Sequence, residues 1–441
     1  MRSGPLHRLI RRRRPPRGRD TIASACLRRA LRAAASALLI VLTAPSAVGQ
    51  DTVRVTTDTD LDGDRVDAAG QTIADDPIVD EGWALQRFAT RFGVFQQDGA
   101  PGGFQSQAGP MDRHRPGSEA TWIFQPILYG RIRQDRQIHH DVFIPVDVIT
   151  AASTDALDVV SSASRESEAV SLDIYSTYEA DADSRYTLHW GGHIEEPLRS
   201  ATLGYAVSRD LADDNAVLGV SFDGIVDFVD QVFFTGYDPG MTTRFTGTVN
   251  VSLSQLLSPT TIVSASYGLT GQAGLLQTPW NSVPIEAGDR VGDLFPHTRM
   301  RHAFVGRLAQ AIPDSRTFVT AQYRFYADDF GVLAHSPEAS VTQYLGEALS
   351  LRLSYRFHTQ NAARFWTSLL PAGYDLARPR TADSDLAALD AHEIGGVLRW
   401  YYDHTGALTA RSSYLEASYY HYERTNGLYV NLISLGWGIS L

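Results

Sequence analysis

Residues Ile433 to Leu441 alternate without a break. Ile433, Leu435, Trp437, Ile439 and Leu441 fall on one side, and Ser434, Gly436, Gly438 and Ser440 on the other. Successive side chains of a strand point to opposite faces. A face of large apolar residues backed by one of Ser and Gly suits a sheet with lipid outside and polar space inside. The pattern recurs along the chain. Leu349, Leu351, Leu353, Tyr355 and Phe357 oppose Ser350, Arg352, Ser354, Arg356 and His358. Phe245, Val249, Val251 and Leu253 oppose Thr246, Thr248, Asn250, Ser252 and Ser254, and similar pairs of faces run through 201–208 and 263–270. A soluble sandwich also alternates, but its solvated face carries more Lys and Glu. The segments here match a membrane-crossing strand, ~9–11 residues, and exceed the roughly five or six usual in globular sheets.

The connections sort into two kinds. Counted back from a C-terminus on the periplasmic side, 313–315, 346–348, 257–260 and 212–214 are periplasmic and short. The segments about 271–298 and 359–391 are extracellular and long, with Arg424 to Gly427 a short outer exception. Short periplasmic turns and long outer loops mark bacterial barrels, whose strand number is even. The sequence thus predicts an all-β chain, a transmembrane antiparallel up-and-down barrel over residues 86–441. About sixteen strands are expected, fourteen being the competing count. Trp190, Tyr267, Trp400, Tyr402, Tyr419 and Tyr429 are the expected interfacial aromatics.

Upstream, a basic stretch including Arg11 to Arg14 precedes the apolar run Ala33 to Ala44 and then Pro45-Ser46-Ala47-Val48-Gly49. That order is a signal-peptide layout, assigned to residues 1–49 with cleavage near Gly49 or Gln50. The apolar run is short of the ~20 residues of a spanning helix. Residues 50–85 are acidic and poor in aromatics, and are expected to form a flexible periplasmic extension.

Charge narrows the chemistry. The leader holds 11 of the 39 basic residues and 1 of the 50 acidic ones, leaving 28 against 49. That excess of negative charge argues against nucleic-acid binding. Every basic residue is arginine, so P-loop and Schiff-base chemistry lack their lysine. Cys26, the one cysteine, falls in the leader, which excludes disulfides and thiolate sites from the remainder.

Two stretches carry a family resemblance. One is the tandem Val146-Asp147-Val148-Ile149-Thr150-Ala151-Ala152-Ser153 and Leu157-Asp158-Val159-Val160-Ser161-Ser162-Ala163-Ser164. The other runs from Gly306-Arg307-Leu308 through Tyr323-Arg324-Phe325-Tyr326-Ala327-Asp328-Asp329-Phe330-Gly331 to Ser354-Tyr355-Arg356-Phe357-His358-Thr359-Gln360-Asn361-Ala362-Ala363-Arg364-Phe365. Both resemble the outer-membrane β-barrel family of unknown function numbered 3570, over nearly all of 86–441. The resemblance implies a surface-associated barrel and no settled activity.

Candidate site residues follow from the polar faces. Arg307, Arg324, Arg352, Arg356 and Arg399, with Glu416, are expected to line the lumen. An outward arginine at mid-depth costs ~2–4 kcal/mol. Such arginines either set a transverse field that selects solutes or brace the wall by pairing with lumenal acids such as Glu416. Asp147, Asp158, Ser161 and Ser164, where a strand enters an outer loop at about 150–167, either form a constriction or cap tight turns. Asp58, Asp60, Asp62 and Asp64, with Gly63 in the turn position, match the first part of a calcium loop. Position twelve is Ala69 rather than a glutamate, so a weak Ca2+ site competes with a plain acidic linker, and no other cofactor is expected. The histidines sit in no nucleophile motif, which argues against a barrel enzyme. The expected function is a porin-like passive channel in the bacterial outer membrane. A closed scaffold or export partner is the alternative, and an outer-membrane hydrolase comes third. Expected partners are outer-membrane lipid and, through strand 428–441, the barrel-assembly machinery.

Overall fold

The computed structural model describes residues 82–99, 121–149, 167–195, 198–212, 215–233, 235–277, 281–286, 288, 290–402 and 413–441. The strands are β1 (Ala84–Asp98), β2 (Thr121–Arg133), β3 (Ile138–Ile149), β4 (Ser167–Glu179), β5 (Ser184–Glu195) and β6 (Leu198–Leu211). They continue as β7 (Ala216–Asp230), β8 (Met241–Ser258), β9 (Thr261–Gly274), β10 (Ser282–Pro284), β11 (Arg290–Gly292) and β12 (Thr298–Ile312). The last are β13 (Thr317–Asp328), β14 (Leu333–Leu345), β15 (Leu349–Gln360), β16 (Leu389–Tyr401), β17 (Tyr414–Arg424) and β18 (Tyr429–Ser440).

Sixteen of them close into one antiparallel barrel, each pairing with its neighbour in sequence, while β10 and β11 form a separate hairpin between β9 and β12. Closure comes from β1 against β18, in register from Arg87 opposite Ser440 to Asp98 opposite Tyr429. A closed ladder leaves no edge, and the backbone of each strand pairs with a neighbour on both sides. In hydrocarbon each unpaired group costs several kcal/mol, so closure is what lets strands cross lipid.

Sixteen strands agree with the alternation read from the sequence, and the competing count of fourteen is set aside. The connections fall at two ends. One end, where Ala84 and Ser440 lie, carries the turns 134–137, 180–183, 212–215, 259–260, 313–316 and 346–348, together with the longer 402–413. Three of these turns reverse through left-handed residues, Ala212 at φ 57°, Arg316 at φ 52° and Gly346 at φ 76°. The other end carries the connections 275–297 and 361–388 among its loops.

Register fixes the faces. Leu353 is 58 % exposed, Ile394 60 % and Leu435 62 %, while Ser350, Glu416 and Ser434 in the intervening positions are buried. Arg91 and Glu416 both flank Gly436 in register and bond across it at 2.7 Å. Two side chains meeting over an intervening strand must lie on the concave side, so the polar positions face inward. Near the turn end on the outer side, the Trp437 indole donates to the Tyr402 hydroxyl at 2.7 Å, and Trp400 packs beside it at 6.1 Å. Aromatics of this kind mark the membrane–water interface of a barrel.

Candidate functional site

Inward charges concentrate in two walls, with Arg87, Arg91, Arg131 and Arg133 on β1 and β2 between them. On β12–β17 they hold eight arginines (Arg299, Arg301, Arg307, Arg324, Arg352, Arg356, Arg399 and Arg424) against four acids (Asp328, Glu338, Glu393 and Glu416). On β3–β7 they hold eight acids (Asp141, Asp147, Asp173, Glu179, Glu195, Asp210, Asp223 and Asp227) against one arginine, Arg185. Seven strands lie between β5 and β15 in either direction around the ring, so the two walls face each other across the lumen.

The basic wall is tightly cross-braced. Arg399 donates to Glu416 at 2.7 Å and Arg91 reaches the same carboxylate from β1 at 2.7 Å. The Arg399 guanidinium also stacks on the Tyr414 ring at 4.6 Å. Arg356 pairs with Glu393, and Arg299 donates to Asp328 at 2.9 Å, a carboxylate that also accepts from the Tyr326 hydroxyl. Arg307 and Arg352 occupy the positions opposite Gln322 and Thr342, and Arg324 lies opposite Ser336.

The acidic wall is built on histidine and serine. His189 sits between two aspartates, with Nδ1 at 2.6 Å from Asp223 and Nε2 at 3.5 Å from Asp173, and Tyr175 stacks on its ring. Glycine is required beside both carboxylates. A Cβ on Gly191 would overlap the Asp173 carboxylate, and one on Gly204 would overlap that of Asp223. Next along, Asp227 accepts from the Ser200 hydroxyl at 2.5 Å and from Arg244 at 2.6 Å. Asp141 accepts from Arg131 at 2.8 Å and from the Tyr129 hydroxyl at 2.5 Å. Asp147 lies on β3 near the loop end, its Oδ1 buried and without a hydrogen bond.

Above the basic wall the long loops pack into a cap. Phe295, Phe330, Val332, Ala363 and Leu386 form one apolar cluster, with Tyr326, Phe365 and Trp366 against it. Val283, Leu370 and Ala382 form a second. Backbone bridges Ile285 to Leu370, Leu294 to Arg380 and Trp366 to Thr381 tie the segments together. Inward side chains hold the cap from below: Arg299 lies over the Phe330 ring at 4.4 Å, Gln360 donates to the carbonyls of Asp385 and Ala387, and Arg424 pairs with Asp385 at 2.6 Å. These loops therefore fold over the lumenal side of the rim.

Two carboxyls are trapped in the cap. The Thr381 hydroxyl donates to Asp293 at 2.8 Å, both groups being buried. Burial pushes the Asp293 carboxyl up to about 7, with the neighbouring Asp383 charge adding to the effect. Burial also pushes Asp383 up to about 6.

Of the residues singled out in the sequence, Arg307, Arg324, Arg352, Arg356, Arg399 and Glu416 all come to the basic wall, and Asp147 to the acidic one. Asp158, Ser161 and Ser164, the calcium-type residues Asp58, Asp60, Asp62 and Asp64, and the leader lie outside the described residues. Sequence reasoning missed Asp173, His189, Asp223 and Asp227. The signal was there in Ser221, Asp223 and Asp227, which recur at even spacing through Val220–Asp227.

Fold and faces define a closed antiparallel barrel of the outer-membrane kind, apolar outside and charged within. The chain belongs to the family described as Protein of unknown function (DUF3570), whose model matches residues 155–433. The match takes in the whole second motif and the latter half of the tandem, and leaves out β1–β3. No curated protein matches the chain. Among solved structures, a BenF-like porin from Pseudomonas fluorescens Pf-5 is 8 % identical with a TM-score of 0.40, the likeness covering 81 % of this chain and 99 % of that one. A loop-deleted OmpT, an outer membrane protein of Vibrio cholerae, is 7 % identical with a TM-score of 0.41, covering 81 % and 100 %. The siderophore receptor PirA of Pseudomonas aeruginosa is 10 % identical with a TM-score of 0.38; this chain covers 56 % of its length and the match 77 % of the chain here.

Proposed function

We propose that this protein is a passive outer-membrane channel for small polar solutes, whose opposed acidic and basic walls set solute preference. It reaches the outer membrane after cleavage of a signal peptide near Gly49 or Gln50, and its turn end faces the periplasm. The observation that carries the reading is the charge division of the interior, eight arginines facing eight acids across the ring. A sixteen-strand cylinder is wide enough for an aqueous lumen. Opposed charges across such a lumen orient dipolar solutes and raise the local concentration of those that match. Catalysis has no part in this reading.

Planar-bilayer recording tests it. The refolded chain is expected to give steady conductance. The pair Arg352→Ser with Arg356→Ser, which weakens the basic wall, is expected to shift the reversal potential in a KCl gradient toward cation preference. A folded, heat-modifiable barrel that never conducts would overturn the proposal.

The cap favours a second reading, a closed barrel that serves another envelope protein as scaffold or export partner. Loops 275–297 and 361–388 pack on inward-facing side chains at the rim, which narrows the lumen mouth over one wall. A stoichiometric partner recovered with the full chain, and lost on deleting residues 50–85, is the result this reading requires.

A further inference from the structure

A serine–histidine pair faces the lumen beneath the cap. Ser336 on β14 and His358 on β15 are both half-buried, with Oγ 2.8 Å from Nδ1. The other ring nitrogen, Nε2, lies 3.1 Å from Oε1 of Gln360. The Gln360 amide nitrogen donates to the carbonyls of Asp385 and Ala387 in the cap, so its oxygen is the end that faces the histidine. An amide oxygen can only accept. Nε2 therefore carries the imidazole proton, and Nδ1 accepts from the Ser336 hydroxyl. A nucleophile, its base and a group that fixes the tautomer of the base stand here in one chain.

The next strand supplies the remaining part. Arg324 on β13 stands directly opposite Ser336 in register, where facing Cβ atoms are about 4.5–5.5 Å apart. Arg324 is exposed to the lumen and has no hydrogen bond or acid partner among the described residues, whereas Arg356 and Arg424 are both paired. A guanidinium without a carboxylate, set beside a serine hydroxyl, can receive the oxygen on which charge builds during acyl transfer. The arrangement has a counterpart across the ring. Ser171 on β4 places Oγ 2.8 Å from Nδ1 of His193 on β5, whose Nε2 lies 3.4 Å from Glu195. The spacing is the same in both, 22 residues from serine to histidine and two more to the third member. That copy stands in the acidic wall, where carboxylates repel an oxyanion, so Ser336 is the one equipped to react. Neither forms a motif in the sequence, because each is assembled by the register of two strands.

We propose that Ser336, His358 and Arg324 form a site in the lumen that hydrolyses small carboxylic esters, with Gln360 as its positioning residue. Ser336 Oγ attacks the carbonyl carbon as its proton passes to Nδ1 of His358, and the carbonyl electron pair moves onto the oxygen beside Arg324. Collapse expels the alkoxide, which takes the proton from Nδ1. Water then attacks the acyl-serine by the same route and releases the acid and the free hydroxyl. The activity goes beyond the channel reading and does not depend on it, since a barrel that never conducts can still acylate Ser336. The test uses the refolded residue 50–441 chain in detergent, with diisopropyl fluorophosphate as probe and p-nitrophenyl acetate as substrate. Peptide mass spectrometry is expected to place the phosphoryl group on Ser336, fluoride having left. Ser336→Ala and His358→Phe are expected to lose the adduct and to lower kcat/KM about 100-fold, and Arg324→Ala to lower it by a similar factor. Gln360→Leu is expected to lower kcat with little change in KM, and Gln360→Glu, which keeps an acceptor, to restore it. Ser171→Ala is expected to leave the rate unchanged. No adduct on the folded parent, an adduct only on another residue, or hydrolysis by Ser336→Ala equal to that of the parent would overturn the proposal. Heat-modifiable gel mobility reports separately whether each barrel has formed. If Ser336→Ala does not refold, the adduct position on the parent and the rate of Arg324→Ala decide.

Discussion

Replacing Glu416 with alanine is expected to be the most destabilising single change on the basic wall. The Glu416 side chain is 2 % exposed and accepts from Arg91 and Arg399, themselves only 24 % and 18 % exposed. Removing the carboxylate strands two part-buried guanidiniums side by side, above Gly436 at the seam where β18 meets β1. Breaking a buried ion pair from one side costs about 3–5 kcal/mol. Because both arginines keep some contact with the lumen, a value near the lower end, about 3 kcal/mol, is expected. Glu416→Gln keeps an acceptor and loses the charge, and is expected to cost about 2 kcal/mol. Replacing the whole triad with Arg91→Met, Glu416→Leu and Arg399→Met removes the stranded charges and is expected to recover most of the loss. Equilibrium urea unfolding in lipid vesicles, followed by tryptophan fluorescence, measures all three. A loss under about 1 kcal/mol for Glu416→Ala, or a triad variant weaker than the single one, would refute the reasoning.

Two further outcomes follow from the cap and the acidic wall. Asp293 and Asp383 have their carboxyls raised to about 7 and about 6 from an ordinary 3.8, so the docked cap binds protons that the undocked loops release. Docking is therefore favoured fully below pH ~4, and the advantage is lost as pH rises through about 7. Protease cleavage within 361–388 is expected to quicken between pH 5 and pH 8 in the parent, and Asp293→Asn should flatten that dependence; an unchanged profile in the variant would contradict it. Gly204→Ala puts a methyl 2.9 Å from Nδ1 of His189 and into the Asp223 carboxylate, so that hydrogen bond must break. About 1–3 kcal/mol of stability is expected to go, read by the same urea titration.

The barrel was legible because a strand in lipid repeats a simple code. The Leu349–Phe357 and Ile433–Leu441 alternations each identify both faces of a strand without knowledge of its neighbours, and the contrast between 346–348 and 361–388 orients them. The pairs inside the lumen were less accessible. That Arg356 meets Glu393, and Asp227 meets Arg244, depends on registers between strands, which no single strand encodes. The acidic wall went unread because its acids are spread over five strands and gather only when the ring closes. The cap was hidden for another reason: Phe295, Phe330 and Leu370 follow no period, and their packing depends on loops more than thirty residues apart in sequence meeting above the rim.

The alternation itself is open to direct measurement, because residues 50–441 contain no cysteine. Single cysteines placed in turn at positions 350 to 357, in chains reconstituted into vesicles, are to be probed with a charged maleimide and a lipid-phase spin label. Modification by the charged reagent at 350, 352, 354 and 356, with lipid-like spectra at 351, 353, 355 and 357, is the predicted pattern. Charged-reagent labelling at 353 and 355 equal to that at 352 and 354 would contradict a wall with lipid on one side and a polar interior on the other.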